Sequence, residues 1–162
     1  MNINELFEMQ RELDSFIEKE HGLEERDLFH EKILALLVEV GELANETRCF
    51  KFWSTKPSSE KDTILEEFVD GVHFILSLGI YLGIRHFELR EANYIEKDVT
   101  KQFIEIYNSI NGLLSKKSVT EYDQLVHQYF YLGELLGFTQ EDVVRAYRQK
   151  NEVNYKRQQE GY

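Results

Sequence analysis

Between Ile64 and Leu82 the chain is apolar around most of a helical circumference, through Phe68, Val69, Val72, Ile75, Leu76, Leu78 and Ile80. A helix of that kind belongs inside a bundle, because it keeps no face for water. Yet it carries Glu67 and Asp70 at i and i+3, and no Lys or Arg lies in the same stretch. An unpaired carboxylate buried among apolar groups is very costly. The two acids therefore need partners from elsewhere in the chain.

The remaining pattern is also helical. The 162 residues include one proline, Pro57, so few turns are forced. Apolar spacing predicts a first helix from about Asn4 to Glu20, through Leu6, Met9, Leu13, Phe16 and Ile17, closed by His21-Gly22. A second runs from about Leu28 to Thr47. A third runs from about Glu60 to Leu82, with Ser59 as its N-cap and Asp62 three residues on. From Ile84 to Lys117 the period continues through Phe103, Ile106, Tyr107 and Ile110, with breaks at Asn111-Gly112 and in the polar run Ser115 to Ser118. Thr120 with Asp123 opens a helix to about Leu136, which Gly137 ends. Thr139 with Asp142 opens a last one, about Gln140 to Asn151. The tail, NYKRQQEGY, has no apolar stripe and by itself reads as unstructured. The expected fold is one all-α domain over 1–162, a bundle of five to six helices.

A net charge of −11 argues against non-specific binding along nucleic acid, which rewards clustered cations. It leaves room for a small phosphorylated ligand, whose charge a metal can neutralise. The single cysteine, Cys49, permits no intramolecular disulfide and suits a reducing cytoplasm. The first residues lack the basic start and apolar run of a signal peptide. No run of 18 apolar residues suggests a membrane span.

The second helix holds Glu39, Glu42 and Glu46 at i, i+3 and i+7, within about 60° of arc. Leu36 and Leu43 lie beside them, so the acids border the apolar face. If the second and third helices pack side by side, four or five carboxylates converge. Repulsion would then raise their pKa values or demand cations. An all-oxygen ligand set suits Mg²⁺ or Mn²⁺. A di-iron bundle needs Glu-x-x-His on two helices, whereas the i+3 positions here are Glu42 and Asp70. The alternative is an exposed acidic edge of the bundle.

The C-terminal stretch supplies the opposite charge in Arg148, Lys150, Lys156 and Arg157, with the amides Asn151, Asn154 and Gln158. Lys and Arg bind phosphate oxygens, but cations also favour helix C-termini without any ligand. Trp53, with Phe50 and Phe52, either covers a site or anchors its loop to the core. Phe74 falls near the acids on the helical projection and either stacks on a base or fills the core. His73 reads as a packed histidine. Gln10 and Asp14, at i and i+4 beside Leu13, read as a solvated pair.

Glu39-x-x-Glu42 followed by Glu67-x-x-Asp70 resembles the metal motif of the all-α nucleoside triphosphate pyrophosphatases, which include MazG-type enzymes. Three further stretches resemble the dimeric dUTPases of bacteria and phages. These are QRELD at Gln10 to Asp14, ETRCFKFWS at Glu46 to Ser54, and KNEVNYKRQQEGY at Lys150 to Tyr162. The resemblance is weakest from about 84 to 118, a segment that reads as a possible lineage-specific insert.

The resemblance implies an Mg²⁺-dependent hydrolase that converts dUTP, and also dUDP, to dUMP. Glu39, Glu42, Glu67 and Asp70 would hold two or more Mg²⁺ ions, with Mn²⁺ as a substitute, and a metal-activated water would attack phosphorus. Glu39 or Glu42 would orient or deprotonate that water. Lys150, Asn154 and Arg157 would grip the phosphates as the tail orders over the ligand. Gln10 and Asp14 would read the uracil edge, with Trp53 or Phe74 against the base or sugar. The family implies a homodimer with its site near the subunit interface. Two other functions fit the same residues: a broader dNTP pyrophosphatase of MazG or dCTP type, and a non-catalytic acidic regulator. A regulatory protein partner is compatible with any of them.

Overall fold

The apolar stretch at the middle of the sequence becomes α3 (Lys61–Tyr81), which buries Leu65, Phe68, Val69, Val72, Ile75, Leu76 and Leu78. The other helices are arranged around it. In the computed structural model, residues 1–91 and 93–162 are described. α1 (Ile3–Glu20), α2 (Phe29–Thr47) and α6 (Gln140–Gln159) pack directly on α3. α4 (Val99–Lys116) and α5 (Val119–Leu135) form a helical pair that joins the bundle through α2 and α3 respectively. Among the described residues there are six helices and no strand, and no helix is long and apolar enough to cross a membrane.

Two glycines of α3 set how closely α5 can approach. A Cβ at Gly71 would meet the Tyr129 hydroxyl at 2.0 Å, and one at Gly79 would meet that of Tyr122 at 2.3 Å. In that space Tyr129 donates to the Phe68 carbonyl (2.6 Å) and Tyr122 to the Ile75 carbonyl (2.7 Å). Both tyrosines are fully buried, so each phenol needs such an acceptor. These docking bonds lie within one turn of Asp70 and of Ser77, and they hold rigid the part of α3 that carries the polar residues.

Several boundaries differ from the sequence expectation, each for a local reason. Asn111-Gly112 does not break α4, because Ile110 and Leu113 are fully buried on either side. The burial of that face outweighs the modest penalty of a helical glycine. Ser118, not Thr120, caps α5 by accepting from the Glu121 amide (3.1 Å). Ser59 does not cap α3. Its hydroxyl is drawn to the Glu46 carboxylate instead, and Glu60 occupies the cap position without a side-chain bond. Thr139 and Asp142 form the reciprocal capping box of α6.

The largest correction concerns the tail. α6 does not stop near Asn151 but continues to Gln159. Its last turns rest on α1, with the Tyr155 ring 5.3 Å from that of Phe16 and Gln158 bonded to His21 at 2.7 Å. One aromatic and one amide were too little signal to mark a helix. The aromatic loop is a second correction. Trp53 is 64% exposed and Phe52 93% exposed, so they do not anchor the loop in the core.

Candidate active site

α2 and α3 run against each other, and one turn of each brings acids to the contact. One carboxylate oxygen each from Glu39, Glu67 and Asp70 lie within 4.8 Å of one another. Glu42, a turn further along α2, is exposed, and its charge bears on the Glu39 carboxyl. One oxygen of Glu39 and one of Glu67 are buried with no hydrogen-bond partner. Burial, then the neighbouring Asp70 and Glu42 charges, push Glu39 up to about 8. Burial and then Asp70 push Glu67 up to about 7. Near neutral pH the cluster therefore retains protons, the response of crowded acids that lack a cation.

One cation does reach the edge of this group. Lys150 of α6 places Nζ 3.0 Å from Asp70 and 2.9 Å from Glu66, with its side chain only 10% exposed. Burial raises the Asp70 pKa, and Lys150 opposes that rise. A single ammonium cannot balance three carboxylates. The two orphaned oxygens, the all-oxygen donor set and the raised proton affinities together fit a divalent cation.

Beside the cluster is a cleft of about 340 Å³. Glu39 and Asp70 line one end, Gln10, Asp14 and Ser77 line the other, and His73 and Phe74 lie between. Asn154, Arg157 and Tyr162 of the C-terminal segment close one side. An apolar recess of about 400 Å³ adjoins it, sharing Asp14, Phe74 and Ser77 and reaching Leu23 and Leu28. A larger groove of about 540 Å³ between α3 and α6 contains Arg145 and Lys150 and shares Arg157.

The far end of the cleft is a connected polar network. Gln10 donates to one Asp14 oxygen and Ser77 to the other, both at 2.8 Å. The Gln10 carbonyl oxygen accepts from the Tyr147 hydroxyl (2.9 Å) and faces His73 Nδ1 at 2.6 Å. Burial raises the Asp14 pKa, against the lowering effect of Gln10, Lys32 and Ser77. Burial, helped by the nearby Lys150 charge, drives His73 down to about 3, so its ring is neutral. Gln10 is 3% exposed, so the solvated-pair expectation for Gln10 and Asp14 is corrected.

The cleft thus gathers Gln10, Asp14, Glu39, Asp70, Phe74, Asn154 and Arg157, with Glu42 and Glu67 next to Glu39. Lys150 faces Asp70 and Glu66, and opens onto the neighbouring groove. Trp53 does not line the cleft; its ring packs edge-on against Phe50 and Phe52 in the exposed loop. Sequence reasoning did not single out Ser77, His73, Tyr162 or Glu66 for the site. Ser77 had a usable signal, since it lies seven residues from Asp70 and so on the same helical face.

A family model described as dUTPase matches residues 2–162, essentially the whole chain. The chain belongs to the dimeric all-α dUTPase family. No curated protein matches it. Membership makes it a dUTP diphosphatase, an enzyme of nucleotide metabolism. dUTPases generally use a divalent metal, and the cluster of Glu39, Glu67 and Asp70 is the group here that could bind one.

Proposed function

We propose that this dUTPase hydrolyses dUTP to dUMP and pyrophosphate, and dUDP to dUMP and phosphate, with Mg²⁺ held by Glu39, Glu42, Glu67 and Asp70. The observation that carries this reading is the pair of buried, unpartnered carboxylate oxygens at the end of a nucleotide-sized cleft. When bound, the cation supplies charge neutralisation at the phosphates and a water of lowered pKa. Glu39 and Glu42 would be the α2 residues that act on that water. Either carboxylate would orient the water and take its proton. Arg157 and Asn154 reach phosphate oxygens from the C-terminal segment. Lys150 exchanges its carboxylate partners for phosphate, a charge-assisted bond of the same kind.

At the other end, the network presents a donor and an acceptor side by side. Gln10 Nε2 has a second hydrogen, and Asp14 has free lone pairs. That order matches O4 and N3–H of uracil. Cytosine presents the reverse pair and would leave both groups unpaired. Phe74 packs against the base or sugar. A homodimer fits the exposed apolar residues Leu34 and Val38 of α2 and Ile104 of α4.

The test is dUMP or analogous monophosphate formation from dUTP, dUDP, dCTP, dTTP and UTP, with Mg²⁺ and with EDTA, in the native chain and Glu39→Gln. Product from dUTP and dUDP only, lost with EDTA and in the variant, is expected. Product from several bases would favour a broad dNTP pyrophosphatase. No product from folded protein would favour a regulatory role.

A further inference from the structure

The polar network fixes more than the orientation of Asp14. The Asp14 oxygens accept from Gln10 and Ser77, so the Gln10 amide must turn its NH₂ toward Asp14. Its carbonyl oxygen is then the atom facing His73 Nδ1, and that nitrogen must carry the proton. His73 is held as the Nδ1–H tautomer, and Nε2 is left as a bare acceptor. Nε2 is buried without a hydrogen-bond partner, although His73 lines the cleft and is only 5% exposed. The His73 ring is held flat against Tyr147 of α6, with centroids 4.3 Å apart. Orphaned buried groups are rare, and this one is an acceptor.

We infer that His73 Nε2 accepts a hydrogen bond from the 3′-hydroxyl of the bound deoxynucleotide. The inference rests on the dUTP reading of the cleft. A hydroxyl can donate to this acceptor. The phosphates only accept, and a deoxyribose bound through its 5′ phosphates has one hydroxyl, at the 3′ position. The order along α3 matches the order along the ligand. Asp70 is at the phosphate end and Ser77 about 10 Å further along the axis, with His73 about 4.5 Å from Asp70. His73 is therefore level with the sugar, and the N3–H of the base lies nearer Asp14. Gln10 and Asp14 act on this contact as positioning residues, by fixing the tautomer.

The experiment compares dUTP with 2′,3′-dideoxy-UTP in the native chain and in His73→Phe, which keeps a ring over Tyr147. The native enzyme is expected to prefer dUTP by at least about tenfold in kcat/KM, the effect of one buried hydrogen bond. In His73→Phe the ratio falls to near one, because dUTP hydrolysis drops toward the dideoxy rate. A native ratio near one, or an unchanged ratio in the variant, overturns the inference. Failure of the dUTP reading looks different, since the native chain would then form no dUMP at all. A second measurement does not depend on the variant folding. In ¹⁵N-histidine-labelled native protein with Mg²⁺, dUMP should shift the His73 Nε2 resonance and 2′,3′-dideoxyuridine monophosphate should not. Equal shifts from both would assign the donor to the base, and no shift from either would leave Nε2 outside the site; each overturns the inference.

Discussion

Two polar clusters lie against the same helix and resolve burial in opposite ways. At one end of the cleft, Gln10, Asp14, Ser77, Tyr147 and His73 Nδ1 bond one another with donors matched to acceptors, which leaves His73 Nε2 over. At the other end, Glu39, Glu67 and Asp70 are all acceptors when ionised, and Lys150 answers only part of their charge. The first cluster needs no cation, and its internal bonds fix its arrangement. The second is balanced only by protons or by a cation. A folded protein tolerates such an imbalance where a ligand later relieves it, and so the contrast supports the proposal that chemistry belongs to the acidic end and base reading to the other.

Altering either end should break the symmetry in a characteristic way. The largest effect is expected at the acidic end. Glu67→Gln should lower dUMP formation by roughly a thousandfold through loss of a cation ligand. The metal-free variant should melt no lower than the native chain, because one source of repulsion is gone. Thermal melts with and without Mg²⁺ read both effects. At the other end, Ser77→Ala removes a donor from Asp14 and should cost about 1–2 kcal/mol in urea unfolding, whether or not Mg²⁺ is present.

pH should separate the two clusters more gently. Glu39 and Glu67 bind protons in the fold up to about 8 and about 7, against 4.5 when unfolded. The folded state therefore holds more protons across that window. Metal-free stability should fall as pH rises from 4.5 through 8, by a few degrees of Tm, since both groups are partly exposed to solvent. Mg²⁺ should flatten this slope. His73 acts on the acid side. It stays neutral to about 3 in the fold but titrates at 6.5 when unfolded, so stability should fall as pH drops below 6.5. His73→Phe should remove that limb in pH-dependent melts. The smallest effect is expected outside both clusters, where Trp53→Ala should change unfolding free energy by less than about 0.5 kcal/mol, given its exposure.

How much of this was legible in sequence followed the range of the interactions. The acid pairs were legible because desolvation on an apolar helix is a local argument, complete within Ile64 to Leu82. The helices with strong apolar periods were legible for the same reason. Burial of Gln10 was not, since its partners are His73, 63 residues away, and Tyr147, 137 away. The C-terminal cations read as a complement to the acids, but nothing local announces that Lys150 pairs with Asp70 and Glu66, more than 75 residues earlier. The end of α6 was misread because α1, rather than its own periodicity, supports it. For the aromatic loop, large rings left a site cover and a core anchor both open, and the chain presents them to solvent, which removes the anchor.

The central claim is that Glu39, Glu67 and Asp70 form a site whose protons stand in for a divalent cation. Titration calorimetry of Mg²⁺ into the native chain at pH 7, in two buffers of different ionisation enthalpy, tests it most directly. Saturable binding with release of protons, lost in Glu67→Gln, is the predicted result. Binding without proton release, or binding that Glu67→Gln leaves unchanged, would contradict it.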